Sequence, residues 1–156
     1  MDDAFTSRLS GRLAAAARPI FGSGALRWLA YLGLCAAYLQ GGLVKLADLP
    51  GAIGEMAHFG LLPAPLFAVL VIGLELGASA LILSGRLRWL GALALAGFTL
   101  LATFVALRFW DLPGGQARFM AANAFFEHLG LVGGFLLVAW LDLQPKPAID
   151  HRAGER

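Results

Sequence analysis

Seven side chains in this sequence combine reactive or hydrogen-bonding chemistry with apolar surroundings: Gln40, Lys45, Glu75, Arg108, Asn123, Glu127 and His128. Glu75 stands near the middle of an apolar run that begins at Pro63. Placing an acidic side chain there costs about 2.5–3.5 kcal/mol in hydrocarbon even on lenient insertion scales, so the carboxylate is expected to face other protein. Glu127 and His128 are adjacent, and Asn123 lies four residues before Glu127, on the same face of a helix. The same face continues through Gly130 and Gly134, which predicts a polar stripe aimed into a packing seam. Lys45 extends the Gly33, Ala37, Gly41 spacing by four more residues. Arg108 closes a third run. Carboxylates and an imidazole at depth can pass protons, so Glu75, Glu127 and His128 are the candidate proton-transfer groups. Gln40, Lys45, Arg108 and Asn123 are the candidate ligand-binding groups. The competing reading makes Lys45–Glu75 and Arg108–Glu127 structural ion pairs that hold a bundle together.

The elements that must position these groups are four apolar stretches of about 20 residues, each long enough to cross ~30 Å of hydrocarbon as a helix. They run over residues 25–46, 63–83, 87–109 and 119–141. None shows the polar and apolar alternation of a water-facing helix. Trp28, Trp89, Trp110 and Trp140 all fall near span ends, where indole rings favour the membrane interface. Each span carries small residues at close spacing, a pattern that lets helix backbones approach in lipid. These are Gly33, Ala37 and Gly41; Gly73 and Gly77; Ala92, Ala96, Thr99 and Thr103; and Gly130 and Gly134. Counting ~1.5 Å per residue from the outer span ends, Glu127 and Gln40 fall in the outer half of the bundle, and Glu75 about 18 Å down, near its middle. The expectation is a polar pocket in that half, with Lys45 and Arg108 at its mouth and Glu75 at its floor.

Composition agrees with burial in lipid. Of 156 residues, 59% are apolar and 14% charged, against about 25% charged in an average soluble domain. The chain is expected to be all-α, an integral membrane four-helix bundle with lipid as its first partner. Nine basic residues, among them Arg8, Arg12, Arg18, Arg27, Arg86 and Arg88, fall on the side of the termini, against Lys45, Arg108 and Arg118 on the other. The positive-inside rule then puts both termini in the cytoplasm. Residues 1–24 form a cytoplasmic amphipathic segment, with Phe5, Leu9 and Leu13 recurring every four residues beside Arg8 and Arg12. Residues 142–156 are expected to be a disordered cytoplasmic tail. A short interfacial helix is expected near Gly51–Phe59. The single Cys35 excludes an intrachain disulfide and a multi-cysteine metal site, and no protein-held metal is expected. Haem through His128 as a lone ligand lacks any supporting motif. No nucleotide-binding loop is present, and no nucleic-acid partner is expected.

The chain resembles the DoxX family of small four-span bacterial membrane proteins. The resemblance rests on Gly41-Gly42-Leu43-Val44-Lys45-Leu46-Ala47-Asp48, on Gly60-Leu61-Leu62-Pro63, and on Glu75-Leu76-Gly77-Ala78 followed by Leu81 to Arg86. Arg108-Phe109-Trp110, Asn123 and Gly133-Gly134 complete it. It covers about Arg27 to Trp140. Many relatives carry a histidine near the position of Arg108 and a lysine where Ala122 stands here. The resemblance implies a four-helix membrane bundle in the bacterial inner membrane. It also implies an association with membrane redox or thiol-stress complexes, the family being named from a subunit of a thiosulfate:quinone oxidoreductase.

Together these readings lead to a membrane subunit of a redox-linked complex, with a quinone-binding pocket in the outer half. Any catalysis would need a partner redox subunit. The alternatives are a non-catalytic anchor or assembly factor for a partner protein and a small-solute or proton carrier, and the expected protein partner is a redox subunit or a second copy of the chain in a homo-oligomer.

Overall fold

The computed structural model describes residues 2–145, with the backbone alone for residues 2–6, 8 and 9. Six α-helices follow one another: α1 Asp2–Phe21, α2 Gly24–Ala47, α3 Leu49–His58, α4 Ala64–Ser84, α5 Arg88–Ala106 and α6 Gln116–Leu143. A single 3-10 turn, Phe109–Asp111, precedes α6. No strand occurs among the described residues. Four helical segments are long and apolar enough to cross a membrane: α2, α4, α6, and α5 together with its link through Asp111. The expected all-α bundle is what forms. The segment read as an N-terminal helix is α1, with Arg12 and Leu13 exposed. The side chains of Phe5, Arg8 and Leu9, and the tail over 146–156, lie outside the described residues. The helix α6 runs to Leu143, into the stretch expected to be tail.

Local chemistry sets the helix ends. Ser23 caps α2, its hydroxyl accepting from the Leu26 N–H at 3.2 Å. Asp48 does two jobs. It ends α2, where its N–H donates to the Val44 carbonyl, and its carboxylate accepts from the Gly51 N–H at 3.0 Å to start α3. Two helices thus meet at one residue, as a side-chain oxygen at an N-cap allows. Pro50 and Pro65 sit in the first turns of α3 and α4, where a missing N–H costs nothing. Gly85, at φ +76°, ends α4 in the left-handed region that glycine enters without penalty.

In the bundle α4 lies between α2 and α5, and α5 lies between α4 and α6. The end holding the α4–α5 turn is tightly tied. A Cβ on Gly91 would lie 2.6 Å from the Ala78 carbonyl oxygen, so these backbones touch. Arg88 joins three other helices there. Its Nε–H donates to the Ile82 carbonyl at 2.9 Å, its guanidinium lies 4.4 Å from the Tyr31 ring centroid, and it stands 3.8 Å from the Asp142 carboxylate. Asp142 also accepts from the Trp89 N–H at 3.0 Å.

The opposite end carries α3 and the 107–115 link. Contact between α2 and α6 is sparse, with Leu34 beside Gly134 and Tyr38 edge-on to Phe135 at 5.4 Å. Here α4 projects past α2, and α3 covers the projection by burying Ala52 and Met56 against Ala64 and Ala68. Phe109 and Trp110 hold the 107–115 link against Phe125 of α6, at 5.4 and 5.8 Å.

Of the four expected small-residue seams, the one on α5 is buried throughout, at Ala92, Ala96, Thr99 and Thr103. Gly33, Ala37, Gly73, Gly77 and Gly130 are exposed instead. The close approach on α2 falls one residue over, at Gly42, where a Cβ would meet Leu76 at 2.8 Å.

Candidate functional site

Lys45 and Glu75 meet. The ammonium stands 3.3 and 3.4 Å from the two carboxylate oxygens, and Glu75 is 5% exposed. The sequence count put Glu75 deep below the membrane surface and Lys45 near it. The projection of α4 reconciles the two. Gly42 packs on Glu75 and Leu76, and Gly42 lies about 8 Å below the end of α2 at ~1.5 Å per residue. The flexible Lys45 stem spans that drop.

A second chain of polar groups runs along α5. Thr99 donates to the Leu95 carbonyl at 2.6 Å, and Thr103 to the Thr99 carbonyl at 2.6 Å. Each threonine has one hydroxyl proton, so both oxygens remain only as acceptors. Tyr38 of α2 then donates its O–H to Thr99 Oγ1 at 2.5 Å. His128 of α6 lies 3.0 Å from Thr103 Oγ1, and by the same logic donates its Nδ1–H to it. That tautomer leaves Nε2 with an open lone pair.

All of these groups but Thr103 line one cavity of about 430 Å³. Lys45, Glu75, Tyr38, Thr99 and His128 supply its polar side, with Glu55 of α3. Its remaining wall is apolar, and includes Phe67 and Val71 of α4 and Phe98, Leu101 and Val105 of α5. Leu101 is 71% exposed and Val105 45%, so the cavity opens sideways through the wall of the bundle.

Of the seven residues singled out in the sequence, the structure brings Lys45, Glu75 and His128 to this cavity. The other four do not line it. Gln40, Asn123 and Glu127 are exposed on the outside of α2 and α6, and the stripe expected to point into a seam points outward until Gly134 reaches Leu34. Arg108 is exposed and pairs with Asp111 at 2.6 Å, not with Glu127. The i, i+3 spacing of a turn residue wins over a partner on another helix. The expected Lys45–Glu75 pair is present.

Three contributors escaped the sequence reading. The sequence pattern does not single out Tyr38 and counts Thr99 only as a small residue of a seam; their mutual hydrogen bond is what marks them. The reach of Glu55 into the cavity follows from the docking of α3 onto α4. No group of three or more histidine, cysteine or acidic residues able to hold a metal occurs among the described residues.

Four long apolar helices around a buried ion pair and a laterally open cavity define a multi-pass membrane protein of the helical-bundle class. A family model described as DoxX matches residues 26–108, just over half of the chain, and the chain belongs to the DoxX family. The matched stretch holds Tyr38, Lys45, Glu75 and Thr99, while α6 with His128 lies beyond it. No curated protein and no solved structure matches the chain.

Proposed function

We propose that this protein is an integral membrane subunit of a redox-linked complex, and that its cavity receives the polar head of a quinone-type amphiphile from the bilayer. The observation that carries the reading is the cavity's division into a polar side and apolar walls, with an opening toward the hydrocarbon. A quinone head presents carbonyl acceptors when oxidised and hydroxyl donors when reduced. Lys45 Nζ can donate to the first, and His128 Nε2 can accept from the second. Glu75 and His128 are the groups able to exchange protons with such a head. Electrons would come from a partner redox subunit.

In this reading both termini face the cytoplasm of a bacterial inner membrane, as the arginine distribution suggests, and the cavity lies in the outer half. Residues 25–141 act as the working unit. A second reading, an anchor or assembly factor for a partner, draws support from the uncovered polar residues on the outside of α6.

The test is titration of a short-chain quinone analogue against the purified protein in lipid nanodiscs. Saturable binding is expected, weakened about tenfold or more by Glu75→Gln and by Lys45→Met, the scale of one lost charge-assisted hydrogen bond. Absence of binding, or binding indifferent to both substitutions, would overturn the reading.

A further inference from the structure

The outer face of α6 carries a carboxylate that the bundle does not use. Glu127 is exposed, as are Asn123 four residues before it and Gln40 on α2. The depth of Glu127 follows from its neighbour. His128 bonds to Thr103, three residues before the end of α5, so Glu127 lies about 5 Å below that end at ~1.5 Å per residue. That is inside the span, where lipid does not solvate a carboxylate. The cations of this end are committed elsewhere, Lys45 to Glu75 and Arg108 to Asp111. Arg118 stands nine residues earlier on the same helix, about 14 Å away along its axis.

Packing between α2 and α6 is sparse, at Leu34 against Gly134 and Tyr38 against Phe135. Small residues are exposed on both helices, Gly33 on α2 and Gly130 on α6. A Cβ at Gly130 would meet nothing within 4 Å. Small residues at a membrane helix surface let another backbone come close, and a polar group there hydrogen-bonds across.

We propose that this face receives a transmembrane helix of a different protein, carrying a lysine or arginine at the depth of Glu127. Asn123 and Gln40 offer the partner helix further hydrogen bonds at the rim. A second copy of this chain is a poor fit. Its cations at this depth are held in the same two ion pairs, and α6 against α6 would set carboxylate against carboxylate. The inference stands apart from the cavity reading, since none of these three side chains lines the cavity.

The test places a photo-crosslinking residue at Gly130 of the full chain, expressed in the cells that carry its natural gene. The expected product is an adduct to another polypeptide, mapped to an apolar helix with a lysine or arginine within one turn of the crosslink. Its yield should fall about tenfold or more with Glu127→Gln, the scale of a lost charge-assisted bond. Adducts to lipid alone, to a second copy of the chain, or to a protein whose yield ignores Glu127→Gln would each overturn the proposal. A second measurement guards against misfolding. In the purified chain, Glu127→Leu should leave the melting temperature within about 3 °C of the parent, the scale of one modest interaction in a chain of this size. A larger fall would give Glu127 a role inside the molecule and overturn the proposal.

Discussion

Glu75 and Lys45 illustrate why a buried pair is best judged by removing its members in turn. Taking two charges out of water costs several kcal/mol per ion, which their attraction and hydrogen bonds offset only as a pair. Glu75→Ala leaves the ammonium of Lys45 against apolar walls and should destabilise the bundle by about 3–5 kcal/mol. The double variant Glu75→Leu with Lys45→Met should recover most of that loss. Reversible unfolding in mild detergent, run as a double-mutant cycle, checks both. Thr103→Val is a gentler change of nearly the same shape. It removes the acceptor that holds His128 Nδ1–H at 3.0 Å and should cost about 1 kcal/mol. If the cavity works as proposed, it should also weaken analogue binding, because the ring would no longer be held with Nε2 free.

Among the elements, α4 and α5 are separated by a short turn and packed backbone to backbone beside it. Gly91→Ala would drive a methyl to 2.6 Å from the Ala78 carbonyl oxygen. It should cost about 1–3 kcal/mol, the usual penalty of overpacking. Gly73→Ala, with nothing within 4 Å of its added methyl, should be neutral or stabilising by up to about 1 kcal/mol. Thermal unfolding of the two variants side by side separates contact from composition. The same contrast explains how far the elements were legible. Runs of about 20 apolar residues specify membrane helices almost by length alone, and all four are present. Which small residues form seams was not legible, because glycine spacing repeats on several faces of one helix. Only the α5 stripe, where two threonines join two alanines, is buried along its whole length. The position of α3 was legible as a helix but not as a cover for α4, since its register depends on Asp48 serving two helices at once.

At the scale of the whole molecule, the two ends differ in how they are held. At one, Arg88 and Asp142 tie α2, α4, α5 and α6 together. Asp142→Ala should loosen that end and destabilise the fold by about 1–3 kcal/mol, the range for a partly buried charged hydrogen-bond partner. Asp142→Asn should keep the bond to the Trp89 N–H and lose less. In the proposed reading the arginine distribution puts this end in the cytoplasm, which has a direct check. A cysteine at Gly54, exposed and with nothing within 4 Å, should react with an impermeant maleimide added to intact spheroplasts. A cysteine at Arg86, exposed in the α4–α5 turn, should react only after lysis. Site legibility followed this same division. Lys45 and Glu75 could be paired from sequence because each needed an opposite charge nearby. Glu127, expected in a seam, lies on the outside; helical periodicity says which residues share a face and not which face turns inward.

The sideways opening past Leu101 and Val105 has a consequence for how affinity at the cavity is to be measured. A molecule with an apolar tail reaches such an opening by diffusing within the bilayer, so its relevant concentration is a mole fraction of lipid rather than a molarity in water. Doubling the lipid or detergent at fixed total ligand halves that mole fraction. An apparent dissociation constant expressed in molar units should therefore rise in proportion to the amphiphile added, while the same data plotted per lipid should fall on one curve.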